Sequence, residues 1–189
     1  MNCCSINNLK EFKLNPNWLR VGILPFYKIN NTIYLLLGIY KVSDNYFELC
    51  ALSGGFKRTI ETIENGAYRE FDEETEQFFS EFENDIKNDL IKSPIIFSKG
   101  KNGIDRILFL LNIGNYINDT ITVERFHQLF KKHFAQKKNT ELYGIEFIHI
   151  NNFVNNFCNN NIYSDLISFM KKNNIYKNSN LKHFINYIS

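Results

Sequence analysis

The stretch from Gly55 to Glu74 reads GFKRTIETIENGAYREFDEE, and the pattern of apolar and acidic residues predicts a helix over residues 62–75. On a helix, side chains at spacing i, i+3 and i+4 project from one face, so Glu70, Glu73 and Glu74 are expected to lie close together. Neighbouring carboxylates repel one another, and a hard divalent cation, which prefers oxygen ligands, would remove that repulsion. The stretch therefore predicts a metal site built on carboxylate oxygens.

The spacing of the charged residues in this stretch matches a known motif. Glu61 follows Gly55 after five intervening residues, and the segment Arg69–Glu74 follows Glu61 after seven more. This arrangement resembles the Nudix box, G-x5-E-x7-R-E-U-x-E-E-x-G-U, in which U is an aliphatic or aromatic residue. Every fixed position matches from the glycine through the second residue of the Glu-Glu pair, which makes the resemblance specific.

The resemblance implies a fold, an activity and a set of ligands. The implied fold is α+β, a Nudix-like α/β/α sandwich with a mixed β-sheet, in a single domain over residues 1–189. The implied activity is that of a pyrophosphohydrolase, which uses Mg²⁺ or Mn²⁺ to cleave a phosphoanhydride bond in a nucleoside diphosphate linked to another group. Glu70, Glu73 and Glu74 are the expected metal ligands, together with the main-chain carbonyl of Gly54.

The other members of the box are expected to support these ligands. Glu61 and Arg69 should pair and hold the loop against the helix, and the resemblance also places Arg69 among the catalytic residues. The box glycine, Gly55, should let the backbone approach the site closely or adopt a positive φ, as should the glycine before it. An additional base or ligand often lies outside the box in this family. Glu141 and Glu146 are the candidates for it, and each is also consistent with an ordinary surface glutamate.

The sequence departs from the family pattern just after the box ligands. The family has a glycine and an apolar residue there, whereas this chain has Glu76 and Gln77. Because that glycine normally ends the helix in a left-handed conformation, the helix is expected either to run on past Glu76 or to end with strain. The same departure supports an alternative from another class, a Nudix-fold module that has lost turnover and binds a nucleotide or a protein.

A narrower alternative comes from the segment Tyr68–Thr75 and from the composition. The frequent use of Asn, Ile, Lys, Phe and Tyr is typical of an AT-rich genome. With that bias, the segment is similar to Nudix enzymes of large DNA viruses, some of which remove the mRNA cap. Capped RNA is therefore a second candidate substrate, although the formal net charge is only +2 and no strongly basic region is present.

The length and composition are typical of a soluble globular protein. A chain of 189 residues with 44% hydrophobic residues suits one domain of ordinary size. The longest apolar run, Ile33 to Tyr40, is too short to span a bilayer, and the first residues do not resemble a signal peptide. We therefore expect an intracellular, cytoplasmic protein with no membrane partner. The resemblance adds the expectations of a nucleotide-type small-molecule substrate and of a homodimer.

Hydrophobic patterning predicts the remaining elements. Strands are predicted at residues 20–27, 32–40, 47–52, 95–98, 104–113 and 142–150, and further helices at about 78–91, 123–134, 162–172 and 181–188. Residues 1–17 are expected to be a short lead-in. Pro25 indicates an edge or a bulge in the first strand, and Pro94 should stop the second helix.

Overall fold

The computed structural model describes residues 19–29, 32–44, 46–57, 59–99, 104–116, 128, 132 and 142–152. The strands are β1 (Leu19–Ile29), β2 (Thr32–Ser43), β3 (Tyr46–Cys50), β4 (Leu52–Gly55), β5 (Ile95–Lys99), β6 (Asp105–Asn112) and β7 (Gly144–His149). The helices are α1 (Ile63–Glu74) and α2 (Glu83–Lys92), with 3-10 turns at Ser80–Phe82 and Ile113–Tyr116. These elements confirm the predicted α+β class with a mixed sheet.

The chain packs as two compact units, and β1 runs through both. The described residues of 19–24 and 52–111 form the first unit, which holds the start of β1 together with β4, α1, α2, β5 and β6. The described residues of 25–51 and 112–152 form the second, which holds the end of β1 together with β2, β3 and β7. The single domain over residues 1–189 stays a prediction.

In the first unit, the start of β1 forms an antiparallel pair with β4. This pairing places Arg20 opposite Gly55 and Val21 opposite Gly54. In the same sheet, β6 is also a neighbour of β1, and β5 pairs antiparallel with β6. The helix α1 packs against β4 and α2. The core of this unit is made of fully buried side chains that include Val21, Ala67, Phe71, Phe79, Ile86, Leu90, Ile107 and Phe109.

In the second unit, β2 is the central strand. Leu35 pairs with both Phe26 of β1 and Ile148 of β7, so those two strands lie along opposite edges of β2. Gly38 pairs at once with β3 and β7, which places β3 further along the same edge as β1. The backbone of β2 is therefore paired along both edges, and Leu35, Leu36 and Leu37 on it are fully buried.

The predicted strand at residues 47–52 is wrong, because the chain forms two strands there. Residues up to Cys50 pair with β2, whereas residues from Leu52 pair with β1, and Ala51 separates the two. Pro25 marks the matching change in β1. Residues up to Ile23 pair with β4 and residues from Phe26 pair with β2. Since proline has no N–H to donate, it is tolerated where the ladder changes partner.

The second helix is shorter than predicted. Residues 75–79 form turns, a 3-10 turn follows, and α2 begins only at Glu83. Phe79 instead stacks on Phe71 of α1, with ring centroids 5.2 Å apart, so it contributes to the core without being helical. The helix ends at Lys92, two residues before Pro94, as the sequence predicts.

The late elements are described only in part. Gln128 and Lys132 are helical, in agreement with the predicted helix at 123–134 as far as the described residues go. The predicted helices at 162–172 and 181–188 lie outside the described residues. The predicted strand at 142–150 is β7, which is shorter by two residues at its start and one at its end. No helix in the described part of the chain is long and apolar enough to cross a membrane.

Candidate functional site

The site is built on α1, whose start is set by Thr62. Thr62 has an extended backbone with φ −81° and ψ 166°, and its hydroxyl accepts a hydrogen bond from the Asn65 N–H at 3.3 Å. Such a cap satisfies one of the donors that a helix leaves open at its first turn. Glu64 lies in that turn, where the helix dipole favours a negative charge. These two residues let the helix begin directly after the loop that carries Glu61.

Gly66 brings the first half of α1 close to the start of β1. A Cβ at this position would meet Oε1 of Glu61 at 3.0 Å, and Phe56 and Val21 at 3.1 Å each. A side chain here would require these neighbouring side chains to move by a few tenths of an ångström. Glycine at this position therefore lets the helix pack closely against the strand and the loop.

Arg69 is the centre of the polar network. A guanidinium carries five N–H donors in a fixed planar fork, and here all of them are used. Nε and Nη2 donate to the carboxylate of Glu61 at 3.0 Å each, and Nη2 also donates to the Gly55 carbonyl at 2.8 Å. Nη1 donates to Oε1 of Glu70 at 2.6 Å and to Oε2 of Glu73 at 3.3 Å. One side chain thus fastens the loop, the strand end and two helix carboxylates together.

The Glu61–Arg69 pair expected from the sequence is formed, with bidentate geometry. Glu61 also accepts a hydrogen bond from the Lys57 N–H at 2.6 Å, so its carboxylate closes the loop on itself. The pKa of Glu61 lies below its ordinary value, chiefly because Arg69 donates to the ionised carboxylate. The loop between Gly55 and the helix is therefore fastened by a charged pair that is largely shielded from water.

Glu70 lies against the backbone of Gly54. The residue is only 8% exposed, and a Cβ built on Gly54 would overlap its carboxyl group. Burial raises the pKa of Glu70, and the hydrogen bond and charge of Arg69 oppose that rise. The sequence left two reasons for the glycines open, a close approach of the backbone and a positive φ. The structure shows the close approach, and it occurs at Gly54.

The ladder between β1 and β4 decides where the two glycine carbonyls point. The Phe56 N–H donates to the Leu19 carbonyl at 3.1 Å, and bonded and non-bonded pairs alternate along antiparallel strands. Val21 and Gly54 therefore form a bonded pair, in which the Gly54 carbonyl faces β1. The Gly55 carbonyl lies outside the ladder, where the box arginine reaches it. Because that carbonyl already accepts a ladder bond, only its second lone pair remains for the metal bond that the resemblance implies. This metal bond stays a prediction.

The three box carboxylates differ in their surroundings. Glu70 and Glu74 are buried, whereas the side chain of Glu73 is 57% exposed. Glu70 and Glu73 converge, because both accept from Nη1 of Arg69. Within the described ranges, no three His, Cys, Asp or Glu side chains are gathered closely enough to hold a metal ion. The expected set of three ligands therefore remains a prediction.

The chemistry of the donors at this place fits a hard divalent cation. Carboxylate oxygens are the ligands that Mg²⁺ and Mn²⁺ prefer, and Mg²⁺ commonly takes one or two carboxylates and completes its shell with water and substrate phosphates. The converging pair of Glu70 and Glu73 meets that minimum. Because both carboxylates are held by Arg69, a cation that binds here must share them with the guanidinium or displace it.

The end of α1 shows how the chain manages without the family glycine. The helix ends at Glu74, and Glu76 and Gln77 follow with φ values of 55° and 62°. The Glu76 N–H donates to the Glu73 carbonyl at 3.2 Å, and the Gln77 N–H donates to the Asp72 carbonyl at 2.8 Å. These two bonds define a Schellman motif, which ordinarily has glycine at its left-handed position. The helix thus ends before Glu76, at the cost of backbone strain.

Of the two candidates for an additional base, one falls within the described residues. Glu146 is on β7 in the second unit, opposite Leu37 of β2. Glu141 lies outside the described residues. The role of either residue as a base or ligand stays a prediction.

Arg20 is a residue of this site that the sequence does not reveal. It lies on β1 opposite Gly55, and its Nη2 donates to the Ser53 carbonyl at 2.9 Å. Its charge also acts on Glu70, where it helps to lower the pKa against the effect of burial. The signal that brings Arg20 here is the register between β1 and β4, which depends on strand pairing and not on local spacing.

Comparisons with known proteins add solved structures at low identity. No protein-family model matches the chain, and no curated protein matches it. An Ap4A hydrolase from C. elegans, solved as a binary complex, is 15% identical, with 82% of this chain and 93% of that chain covered and a TM-score of 0.42. A mutT/nudix family protein from Listeria innocua is 13% identical, with coverages of 84% and 92% and a TM-score of 0.43.

A third solved structure is the NUDIX domain of Shewanella oneidensis NrtR in complex with ADP ribose. It is 12% identical, with 86% of this chain and 90% of that chain covered and a TM-score of 0.40. At TM-scores of 0.40 to 0.43, the likeness assigns neither a substrate nor a partner to this chain. The chemistry of the site therefore follows from its own residues.

Proposed function

We propose that this protein is a divalent-metal-dependent pyrophosphohydrolase, which cleaves a phosphoanhydride bond in a nucleoside diphosphate linked to another group. The observation that carries the proposal is the network of Arg69, which joins Glu61, Glu70 and Glu73 to the Gly55 carbonyl. Acidic helices are common, but a helix whose arginine also fastens a Gly-Gly strand and a loop glutamate at the box spacing is not accounted for by surface charge alone.

Each box residue has a role in the proposed reaction. Glu73 and Glu74 are the first choices as ligands of Mg²⁺ or Mn²⁺, and Glu70 is a third ligand or the group that positions water. A bound cation would neutralise charge on the phosphoanhydride and lower the pKa of the attacking water. Arg69 fixes the positions of the carboxylates, so that water can attack one phosphorus while the bridging P–O bond breaks and a phosphate-bearing group leaves.

The test is a hydrolysis screen with a double variant of the first-choice ligands. The wild-type protein is incubated with Mg²⁺ or Mn²⁺ and with ADP-ribose, diadenosine tetraphosphate, nucleoside triphosphates or capped RNA, and the phosphate-bearing products are separated. Glu73→Gln/Glu74→Gln should abolish metal-dependent turnover, by about 10³-fold or more, because the neutral amides remove the charge that holds the cation. Full metal-dependent activity in the double variant would contradict the assignment.

A matched control separates loss of charge from loss of the site. Glu81 is an exposed glutamate on the 3-10 turn after α1, and Glu81→Gln should keep full turnover. Thermal unfolding of all variants checks that they fold. Equal loss of activity in Glu81→Gln would show that the screen reports overall charge and not the box.

A second candidate is a binding module without turnover. The observation that favours it is that Arg69 pairs with both Glu70 and Glu73, so the guanidinium itself offsets part of the repulsion between these two carboxylates. Binding of a nucleotide in the presence of Mg²⁺, with no product at any metal concentration, would select this candidate over the hydrolase.

The narrower expectations are settled by the same screen and by one further measurement. Release of m7GDP from capped RNA, at a rate above that of every free nucleotide, would establish the decapping alternative. A sedimentation experiment would test the homodimer. Both stay predictions.

A further inference from the structure

Arg20 and Arg69 both hold the Gly-Gly strand, but they use their donors differently. Arg69 donates to the Gly55 carbonyl and spends its remaining donors on three carboxylates. Arg20 donates to the Ser53 carbonyl at 2.9 Å through Nη2, and within the described part of the chain it forms no ion pair. A guanidinium has five N–H donors, so most of those on Arg20 are available to another acceptor.

The position of Arg20 places this available charge beside the carboxylate face. Arg20 reaches the Ser53 carbonyl, which, like the Gly55 carbonyl held by Arg69, lies outside the β1–β4 ladder, so both guanidinium groups lie at the same edge of β4. The side chain is half-buried, so water screens its charge less than that of a fully exposed arginine. A phosphate bound at the carboxylate face would thus find an arginine on the strand side of the site.

We propose that Arg20 binds a phosphate of the diphosphate group from the strand side of the site, while the helix carboxylates act from the helix side. The inference rests on the proposed function, since it names a further substrate contact of the same site. Arginine suits this role because its planar fork donates two parallel hydrogen bonds to phosphate oxygens. The bond to Ser53 holds the guanidinium in place before the anion arrives, which lowers the entropy lost on binding.

The alternative role for Arg20 is purely structural, namely fastening β4. The two roles differ in what they predict for anion binding. A fastening arginine can be replaced by any side chain that lets the strand pair form, with no change in affinity for a diphosphate. A phosphate-binding arginine cannot be replaced by a neutral side chain without losing affinity, and the loss should depend on salt.

The experiment measures calorimetric binding of methylenediphosphonate, a diphosphate that cannot be hydrolysed, to the full chain in Mg²⁺. Arg20→Met keeps a long side chain and removes the charge, and it should weaken binding about tenfold, which is the effect expected from one charge-assisted contact. Arg20→Lys keeps the charge without the fork and should recover part of that loss. Raising the salt concentration should weaken binding by the wild type more than binding by Arg20→Met.

Lys92→Met is the matched control, because it removes one positive charge from an exposed position at the end of α2 in the same unit. It should bind like the wild type. Equal affinity of Arg20→Met and the wild type would overturn the inference, as would failure of the wild type to bind the diphosphonate. Should Arg20→Met fail to fold, Arg20→Lys should bind more weakly than the wild type, and an affinity of Arg20→Lys equal to that of the wild type would overturn the inference.

Failure of this inference can be told apart from failure of the proposed function. If the wild type hydrolyses a substrate and Arg20→Met leaves its KM unchanged, the hydrolase stands and the Arg20 contact falls. If the protein binds the diphosphonate through Arg20 but hydrolyses nothing, the contact stands and the hydrolase falls. Where both stand, Arg20→Met should raise KM more than it lowers kcat, because the contact is made in the ground state as well.

Discussion

The two ends of the site use glycine in opposite ways. At the strand end, Gly54 and Gly55 are glycines although neither adopts a positive φ. At the helix exit, Glu76 and Gln77 adopt positive φ although neither is a glycine. Gly54 is therefore explained by space, since a Cβ on it would overlap the Glu70 carboxyl. The second pair accepts strain to complete a Schellman motif.

The two ends therefore differ in what limits the choice of residue. At the strand end the limit is the position of a functional carboxylate, and at the helix exit it is the conformational preference of the backbone. A collision with a buried carboxylate cannot be relieved without moving the functional group itself. A left-handed backbone at a non-glycine residue costs only about 1–2 kcal/mol, which the rest of the fold can offset. We therefore expect changes at the strand end to affect activity strongly and changes at the exit to affect mainly stability.

The largest effect is expected from Gly54→Ala. The new Cβ displaces the carboxyl of Glu70 from Arg69, and a displacement of about 1 Å at such a site can cost about 100-fold in rate. The overlap should also destabilise the fold by about 1–3 kcal/mol. Hydrolysis rates and urea unfolding measure the two effects.

Gly55→Ala is the matched comparison for stability. A Cβ on Gly55 meets nothing within 4 Å, so its free energy of unfolding should stay within about 0.5 kcal/mol of the wild type. Equal destabilisation by the two alanines would show that conformation, and not the space beside Glu70, explains the pair.

A smaller effect is expected from Glu61→Gln, and it should depend on pH. The substitution weakens two charged hydrogen bonds to Arg69, which should cost about 2 kcal/mol at pH 7. The folded-state pKa of Glu61 is lowered, so its ionisation contributes stability above the unfolded value of about 4.3. That contribution is lost as the pH falls through the folded pKa. The gap between wild type and variant should therefore shrink between about pH 5 and pH 3.

Urea unfolding at several pH values measures this gap, and a double-mutant cycle is its control. In an Arg69→Met background, Glu61→Gln should change stability little, and the shrinkage of the gap at low pH should disappear. A gap of constant size across the same pH range in the wild-type background would contradict the coupling between these two side chains.

The smallest effect is expected at the helix exit. Gln77 is exposed and has a φ of 62°, so Gln77→Gly relieves left-handed strain and loses little packing. The relief should outweigh the added freedom of the unfolded chain and stabilise the protein by about 0.5–1 kcal/mol. Gln77→Ala keeps the strain and should leave stability nearly unchanged, and thermal unfolding distinguishes the two. Equal melting temperatures for the glycine and alanine variants would remove strain as the explanation.

The contacts within α1 and its loop were open to prediction from the sequence. The helix repeat of 3.6 residues brings Arg69 and Glu73 together, and the resemblance to the box implied the pair of Glu61 and Arg69. Apart from the strand at residues 47–52, the positions of the described strands followed from apolar runs. Such interactions depend on a few neighbouring residues, whose geometry the local backbone conformation dictates.

The partners across the sheet were decided only by the tertiary structure. The break at Ala51, the change of partner at Pro25 and the arrival of Arg20 beside the site all depend on which strands pair and in which register. The need for glycine at position 54 also depends on the tertiary structure, because a Cβ there would overlap a carboxyl sixteen positions further along the chain. Local periodicity specifies which face of a strand is apolar, whereas register depends on contacts between distant residues that no spacing rule encodes. The box therefore predicts a chemistry for this site, and the pairing of the strands determined that Arg20 lies opposite its glycine.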